Sequence, residues 1–275
     1  MIAQFRHHII VLALLCGVLI SGCTSVPITG RKQLNMVPDS FINSMALQEY
    51  NAFLQADTTK LSNNASQTAM VQRVGRSIAD AVEKYMRDNG MYDQIAGYQW
   101  EFNLVENDEK NAWCMPGGKV VVYTGILPIA QDDTGLAVVM GHEIAHAIAK
   151  HGSERMSQQI MATAGGVALD VALDEQSSET KELFLTAYGV GASVAVLLPY
   201  SRTHEKEADH LGMIFMGIAG YDPREAIDFW ERMAADSEGG SVPEFLSTHP
   251  ASQSRIENIR SHLPEAMMYY NRSQM

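Results

Sequence analysis

The sequence predicts an α+β fold that is mainly α-helical, with a small β-sheet beside one central helix. From Asp132 to His262 the apolar residues recur almost throughout with the period of a helix. Two shorter segments, 98–105 and 119–124, instead alternate and are rich in aromatic and β-branched residues, as strands are. The chain has 275 residues, of which 46% are hydrophobic, so it can bury a sizeable core in one domain or two small ones.

Charge and cysteine content exclude several classes of protein. The formal net charge is −12, whereas nucleic-acid binders need a basic face, so no nucleic-acid partner is expected. The same charge argues against adhesion to anionic lipid through surface charge alone. With only three cysteines in the chain, a disulfide scaffold is excluded as well.

The N-terminus is typical of an exported protein, and residues 1–22 are predicted to be a lipoprotein signal peptide. Residues 9–20 are an unbroken apolar run that is too short to span a bilayer. Residues 20–23 (ISGC) resemble the bacterial lipobox, so Cys23 is the expected site of lipidation. An ordinary signal peptide or an uncleaved anchor are the alternatives. Thr24, rather than Asp, favours the outer membrane by resemblance to sorting signals, with the protein facing the periplasm.

Elements follow in order along the remaining chain. Residues 23–38 mix Thr, Ser, Pro and Gly, which predicts a lipidated tether. A helix is expected from Asp39 and a second one over 64–89, each with apolar residues on one face. The two strands are expected to be joined through residues 116–118 (PGG), which have turn chemistry.

Two segments, 160–173 and 183–198, are apolar all round but do not reach the length of a membrane span. Buried core helices are the favoured interpretation. A hairpin that contacts a membrane or covers the active site is the alternative.

The strongest chemical signal is His142-Glu143-Ile144-Ala145-His146. Two histidines four residues apart lie on one face of a helix, with their Cβ atoms about 5–6 Å apart, which suits one tetrahedral metal ion. Glu143 lies about 100° around the helix from His142, so it can approach a catalytic water without being a ligand. A third ligand is required, and residues 204–209 (HEKEAD) offer several candidates.

The H-E-x-x-H motif, followed by E-x-x-x-D, resembles the gluzincin family of the HtpX and CAAX prenyl endopeptidases. Within it, the chain is most similar to small periplasmic lipoprotein members such as LoiP and to the catalytic domain of BepA. The resemblance implies that Glu205 is the third zinc ligand and that Asp209 orients a ligand histidine. Glu207 lies on another face of that helix and is expected to be a solvated or structural carboxylate.

Further motifs extend the resemblance over residues 39–265, the expected metallopeptidase domain, which leaves 266–275 as a C-terminal tail. His249, in a T-H-P segment, is expected to stabilise the oxyanion or to occupy the open position of the zinc. Arg255 is expected to support the oxyanion or the gating of the site. A strand beside the cleft, where an extended substrate could pair, is marked by four residues: Asn111, Ala112, Gly117 and Gly118.

The remaining histidines of the mature chain are expected to bind no metal, because three ligands already fill a catalytic zinc site. His151 is placed at a helix end, and three others are placed at the surface: His204, His210 and His262.

The sequence therefore predicts an endopeptidase with one Zn²⁺ per chain, in which His142, His146 and Glu205 bind the metal and Glu143 is the general base. It is expected to be lipid-anchored in the bacterial envelope and to cleave misfolded or misassembled envelope proteins. The alternatives are a lipid-anchored, chaperone-like binding protein with a structural zinc, and a protease that a loop or His249 holds inactive.

Overall fold

The computed structural model describes residues 23–174, 176–192, 198–237, 244–249 and 253–275. The predicted signal peptide lies outside these residues. The chain separates into two compact units. The larger unit comprises Asn43–Ala149 and His204–Met275, and the smaller unit comprises Met1–Ile42 and Lys150–Thr203. Within the described ranges, no helix combines the length and the apolar character needed to cross a membrane.

The described elements are mainly helical, with two small sheets. The strands are β1 (Cys23–Ser25), β2 (Lys32–Leu34), β3 (Glu101–Val105), β4 (Ala112–Met115) and β5 (Lys119–Tyr123). The helices are α1 (Asp39–Gln55), α2 (Ala65–Asp88), α3 (Leu127–Ala130), α4 (Asp133–Ile148), α5 (His151–Ala172), α6 (Ser178–Ala192), α7 (Leu198–Ile218), α8 (Glu225–Ser237), α9 (Glu244–Thr248) and α10 (Gln253–Ser273). The predicted α+β class, mainly helical with a small sheet beside the H-E-x-x-H helix, is confirmed.

A three-stranded sheet in the larger unit has the order β3–β5–β4. The central strand β5 is buried at every residue, as its run of Val120, Val121 and Val122 requires. The predicted connection was wrong, because the turn at 116–118 joins β4 to β5, whereas β3 pairs with β5 in parallel. The short β4 segment has no strong alternation, so periodicity alone did not reveal the hairpin.

Helix α2 packs against this sheet through its apolar face. Asn64 caps the helix, since its side-chain oxygen accepts a hydrogen bond from Gln67 N at 3.1 Å. Val71, Val74 and Ile78 are fully buried. The predicted helix over 64–89 is therefore confirmed to within a residue at each end.

Helix α4 lies in the core of the larger unit and contacts α2, β4 and α8. Nearly all of its residues are buried, including polar ones, so it is an interior helix rather than a surface one. Helix α10 continues to Ser273, so most of the predicted tail 266–275 is helical.

The smaller unit contains β1, β2, α5 and α6. Strands β1 and β2 form an antiparallel hairpin within the segment expected to be a tether. Arg31 donates hydrogen bonds to both carboxylate oxygens of Glu154 at 2.9 and 2.7 Å. Glu154 is buried in α5, so this charge-assisted pair fixes the hairpin to the helix.

The apolar helices α5 and α6 are only partly buried, so the favoured interpretation of core helices was wrong. They pack on each other where the Tyr188 hydroxyl donates to the Ala162 carbonyl at 2.9 Å. That contact covers one side of each helix, and Val167, Val171 and Leu183 remain exposed. Part of the predicted segment 183–198 lies outside the described residues.

Candidate metal centre

The two histidines of the H-E-x-x-H motif are positioned by a well-capped helix. Asp132 accepts hydrogen bonds from Thr134 N and Gly135 N at 2.8 and 3.0 Å, which defines the start of α4. Almost three turns later, His142 is only 2% exposed. The Nε2 atoms of His142 and His146 lie 3.1 Å apart, as expected for residues one turn apart on a helix.

Helix α7 reaches these histidines because the two helices meet at glycines. A Cβ atom on Gly212 would lie 2.9 Å from the backbone of Gly141 and His142, which is closer than side chains tolerate. The helix backbones therefore touch at this crossing. Asp209 and Glu205 lie one and two turns before Gly212 along α7, on the side that faces His142.

Glu205 completes a set of three donors. Its Oε1 lies 3.3 Å from His146 Nε2, and its Oε2 lies 3.5 Å from His142 Nε2. Burial alone raises the pKa of Glu205, but its hydrogen bonds to His142, His146 and His249 hold that pKa far below the usual range. The carboxylate is therefore ionised and available to a cation.

The donor set fits zinc. Two imidazole nitrogens and one carboxylate oxygen are a common ligand set of catalytic zinc. Zinc–ligand bonds of 2.0–2.1 Å in a tetrahedron place neighbouring donors about 3.3 Å apart. The two imidazole nitrogens lie 3.1 Å apart, one oxygen of Glu205 lies 3.3 Å from His146 Nε2, and its other oxygen lies 3.5 Å from His142 Nε2. His142, His146 and Glu205 can thus occupy three corners of one tetrahedron.

A fourth candidate donor, His249, lies against this set. Its Nδ1 lies 2.8 Å from Glu205 Oε2 and 3.2 Å from His142 Nε2. All four ligand atoms lie within 4.8 Å of one another. Of the two predicted roles of His249, the geometry thus favours the one at the open position of the metal.

A buried ion pair between Asp209 and Arg255 lies next to these donors. Asp209 Oδ1 lies 3.0 Å from His142 Nδ1, where it accepts the proton of that ring. Arg255 donates from Nε and one terminal nitrogen to Asp209 at 2.8 and 2.7 Å. Although burial alone raises it, Arg255 and His142 hold the pKa of Asp209 below its ordinary value. Asp209 therefore remains an acceptor.

Arg255 also contacts a second carboxylate and an aromatic ring. Its other terminal nitrogen lies 3.2 Å from Glu205 Oε2, and its guanidinium carbon lies 3.5 Å from the ring centroid of Trp230. The arginine therefore contacts two carboxylates and an aromatic face at once. This contact explains why an arginine is buried at this position.

Glu143 lies beside the donors without joining them. It is 5% exposed, and its Oε1 has no hydrogen-bond partner among the described residues. His249 Nε2 approaches this oxygen to 3.5 Å. Burial raises the pKa of Glu143 above its usual value. A buried carboxylate with an unsatisfied oxygen and a raised pKa is suited to accept a proton in the reaction.

The residues predicted to mark a substrate strand are only partly brought to the centre. Asn111 and Ala112 lie at the start of β4, an edge strand that contacts α4. Gly117 and Gly118 instead form the β4–β5 turn, with φ of 90° and 87°, which explains the glycines. Their carbonyls accept hydrogen bonds from Gln99 N and Glu101 N, as an internal connection.

Sequence reasoning missed two aromatic residues at the site, both fully or almost fully buried. Trp230 on α8 stacks on Arg255, and Phe245 on α9 lies 4.7 Å from the His249 ring, centroid to centroid. Their only signal was helical periodicity, which indicates burial but not what is contacted.

Two histidines that were predicted at the surface, His204 and His210, are instead buried, whereas His151 lies at a helix end as predicted. His204 is 2% exposed and His151 is 2% exposed, so both are buried. His210 is also largely buried, whereas His262 is intermediate. Glu207 is buried as well, which agrees with a structural carboxylate.

Comparison with known proteins gives the family. Residues 65–263 match the model of peptidase family M48. The mitochondrial metalloendopeptidase OMA1 of Schizosaccharomyces pombe is 33% identical over 88% of this chain and 67% of its own length. Human metalloendopeptidase OMA1, mitochondrial, is 28% identical over 88% of this chain and 46% of its own length. The beta-barrel assembly-enhancing protease of Yersinia pestis is 30% identical over 59% of this chain and 34% of its length.

These relatives correct two predictions. The chain was expected to be a lipid-anchored protease of the bacterial envelope, located at the outer membrane and facing the periplasm. That is contradicted, because the relatives that align over 88% of the chain are mitochondrial enzymes of eukaryotes. The comparison also gives no support to a signal peptide or to lipidation of Cys23.

The predicted protease activity is confirmed, as is the predicted use of zinc. The chain spans between about a third and two thirds of the length of the relatives described here. The comparison supports the wider gluzincin family, but it does not indicate a small lipoprotein such as LoiP. The chain belongs to peptidase family M48 and is a zinc metalloendopeptidase.

Proposed function

We propose that His142, His146 and Glu205 hold the catalytic zinc and that Glu143 is the general base of peptide hydrolysis. The observation that carries this proposal is the unpartnered, buried oxygen of Glu143 beside two imidazole nitrogens 3.1 Å apart and the carboxylate of Glu205. A purely structural zinc site needs no such carboxylate.

When bound, zinc polarises the scissile carbonyl and lowers the pKa of water at the site. Glu143 then takes a proton from the attacking water and delivers it to the leaving amine. Asp209 holds the Nδ1 proton of His142, so that Nε2 of this ring points at the metal position. Arg255 is a positioning residue, because it acts through Asp209 and Glu205.

The substrates are proposed to be extended segments of unfolded or misassembled proteins. Asn111 O accepts from Tyr123 N, so the alternation of an antiparallel ladder directs the backbone of Ala112 and Cys114 away from β5. An extended peptide can pair with this outer edge, whereas a folded segment cannot. The name of the Yersinia pestis relative, a beta-barrel assembly-enhancing protease, agrees with clients that have failed to assemble.

The ligand assignment is tested by paired carboxamide variants. Glu143→Gln should keep one zinc at this centre but lower kcat/KM on unfolded casein by about 10²- to 10⁴-fold. Glu205→Gln should lose zinc. Glu207→Gln is the matched control, a buried glutamate two residues away, and should retain zinc per folded chain. Full activity in Glu143→Gln, or full zinc in Glu205→Gln, would refute the assignment.

Substrate class is tested with one protein in two states. The enzyme should cleave a reduced, carboxymethylated protein and spare the same protein with native disulfides. Glu143→Gln should bind the unfolded form without cleaving it. Equal cleavage of both forms would reject the proposed preference for extended segments.

A further inference from the structure

A second group of metal-ligating side chains lies in the larger unit, apart from the centre described above. It consists of His210 on α7 and of His262 and Glu265 on α10. His262 and Glu265 are three residues apart and therefore share a helix face. His210 follows Asp209, so it is turned about 100° around α7 from that residue. We refer to these three residues as the α7–α10 cluster.

The side chains of the α7–α10 cluster already meet. His210 Nε2 lies 2.8 Å from Glu265 Oε2. The rings of His210 and His262 are stacked, with centroids 3.9 Å apart and planes inclined by 22°. One ligand atom from each residue lies within 4.8 Å of the others.

An ion pair accounts for only part of this arrangement. A protonated His210 beside Glu265 would form an ordinary salt bridge, but it would not explain a second imidazole stacked on the first. Burial and the proximity of His210 lower the pKa of His262, so this ring is neutral at physiological pH. Neutral imidazole is the form that binds metal ions.

We propose that His210, His262 and Glu265 form a second zinc site, independent of the catalytic one. Two imidazoles and a carboxylate are donors that zinc prefers. The side chain of Glu265 is 47% exposed and that of His210 is 11% exposed, so an ion can enter from solvent and keep water as a further ligand. Because the in-plane lone pairs of stacked rings do not converge, binding must open the stack.

A metal ion here would link the two helices that carry the supports of the catalytic centre. Asp209 and Arg255 already connect α7 to α10. The α7–α10 cluster repeats that connection two turns further along α10. Zinc in the second site would therefore resist separation of the helices that hold Glu205 and Arg255 in place.

The experiment counts zinc in the full chain carrying Glu143→Gln, which prevents self-digestion. After equilibrium dialysis against micromolar free zinc, this protein should hold two zinc ions. Adding His262→Ala or Glu265→Gln should leave one. Adding Glu257→Gln, an exposed glutamate on the same helix, is the matched control and should leave two. Circular dichroism verifies folding, and Glu265→Gln keeps the test valid if His262→Ala unfolds the protein.

A second variant background distinguishes zinc binding at the proposed second site from zinc binding at the catalytic centre. In His146→Ala, which lacks a ligand of the catalytic centre, zinc should still raise the melting temperature, and adding Glu265→Gln should abolish that rise. The second site is rejected if zinc content is unchanged by both cluster variants or if zinc does not stabilise His146→Ala. Retention of one zinc in His146→Ala and loss of it on adding Glu265→Gln would uphold the second site even if the catalytic assignment failed.

Discussion

His249 determines whether three or four protein donors surround the catalytic metal position. A donor at the fourth corner competes with water and with the substrate carbonyl for that position. The Nδ1 atom of His249 lies 2.8 Å from Glu205 and 3.2 Å from His142, which is within the spacing of the other donors. The His249 side chain must therefore move before substrate enters. His249 directly follows α9, outside the helices α4 and α7 that carry the other three donors.

His249→Ala should therefore increase the hydrolysis of unfolded casein several-fold without changing the zinc content of the catalytic centre. The measurement is the initial rate at matched zinc occupancy. A loss of about 10²- to 10³-fold would instead identify His249 as an oxyanion donor. Unchanged activity would contradict both roles.

Zinc binding should release protons, because His142 is protonated in the metal-free protein. Burial and Arg255 lower its pKa, but hydrogen bonds to Asp209 and Glu205 outweigh them and raise it to about 9. Zinc requires the neutral ring, so affinity should increase with pH up to about 9. The folded pKa is raised, so the stability gained from this proton is complete below the unfolded value and is lost as pH rises through about 9.

Calorimetric titration with zinc at pH 7, in two buffers of different ionisation enthalpy, measures this release. About one proton per chain is expected from His142. Asp209→Asn removes the carboxylate that most raises the pKa of His142 and should therefore reduce the release. Identical apparent enthalpies in both buffers would show that the ring is already neutral.

At the residue scale the sequence revealed the chemistry but not its surroundings. Spacing alone identified His142, Glu143 and His146, because a helix fixes which side chains share a face. Glu205 and Asp209 came from resemblance, since nothing local determines that α7 crosses α4. The contact of Arg255 with Trp230 could not be predicted from the sequence, because it joins α10 to α8 and depends on tertiary packing.

At the scale of elements, the crossing of α4 and α7 sets the position of Glu205. Gly212→Ala should separate the two helices, because its new Cβ would lie 2.9 Å from the α4 backbone. Overpacking of this kind costs about 1–3 kcal/mol. Zinc affinity should also fall, since Glu205 moves with α7.

The comparison is Gly189→Ala, also within a helix but with open space around its Cβ position. There the better helix propensity of alanine should leave stability unchanged or raise it by up to about 1 kcal/mol. Chemical denaturation and a zinc titration on both variants measure the difference. Equal behaviour of the two variants would show that the crossing tolerates a methyl group.

Elements with a strong local signal were predicted well. Asn64 and Asp132 are caps that define the starts of α2 and α4. The strand at β4 was expected only from the resemblance, and the parallel pairing of β3 with β5 was not predicted, because pairing order depends on contacts distant in sequence. The exposure of α5 and α6 was missed for a related reason, since apolar composition does not show which side finds a partner.

At the scale of the whole molecule, zinc should contribute to folding stability as well as to activity. A ligand at 100 times its dissociation constant stabilises the folded state by about 2.7 kcal/mol. For a chain of this size, chelation should therefore lower the melting temperature by about 5–10 °C. Scanning calorimetry with and without a chelator measures the shift, and added zinc should reverse it. A melting temperature insensitive to chelator would contradict a folded-state zinc site.

Chain length allowed one domain or two small ones, but the position of the division was not foreseen, since a single metallopeptidase domain was predicted over residues 39–265. The family model matches residues 65–263, and this range includes parts of both units. That continuous domain stays a prediction. Hydropathy could not reveal the division, because the break at Lys150 lies between two helices that follow each other closely.

The insertion of Lys150–Thr203 between the H-E-x-x-H helix and Glu205 also sets the order in which the centre is completed during synthesis. A ribosome extends the chain at about 5–20 residues per second, from the N-terminus onwards. His142 and His146 emerge first, Glu205 follows only after the inserted unit, and Arg255 comes last. A nascent chain therefore lacks a complete set of zinc donors until the inserted segment and Glu205 have both been synthesised.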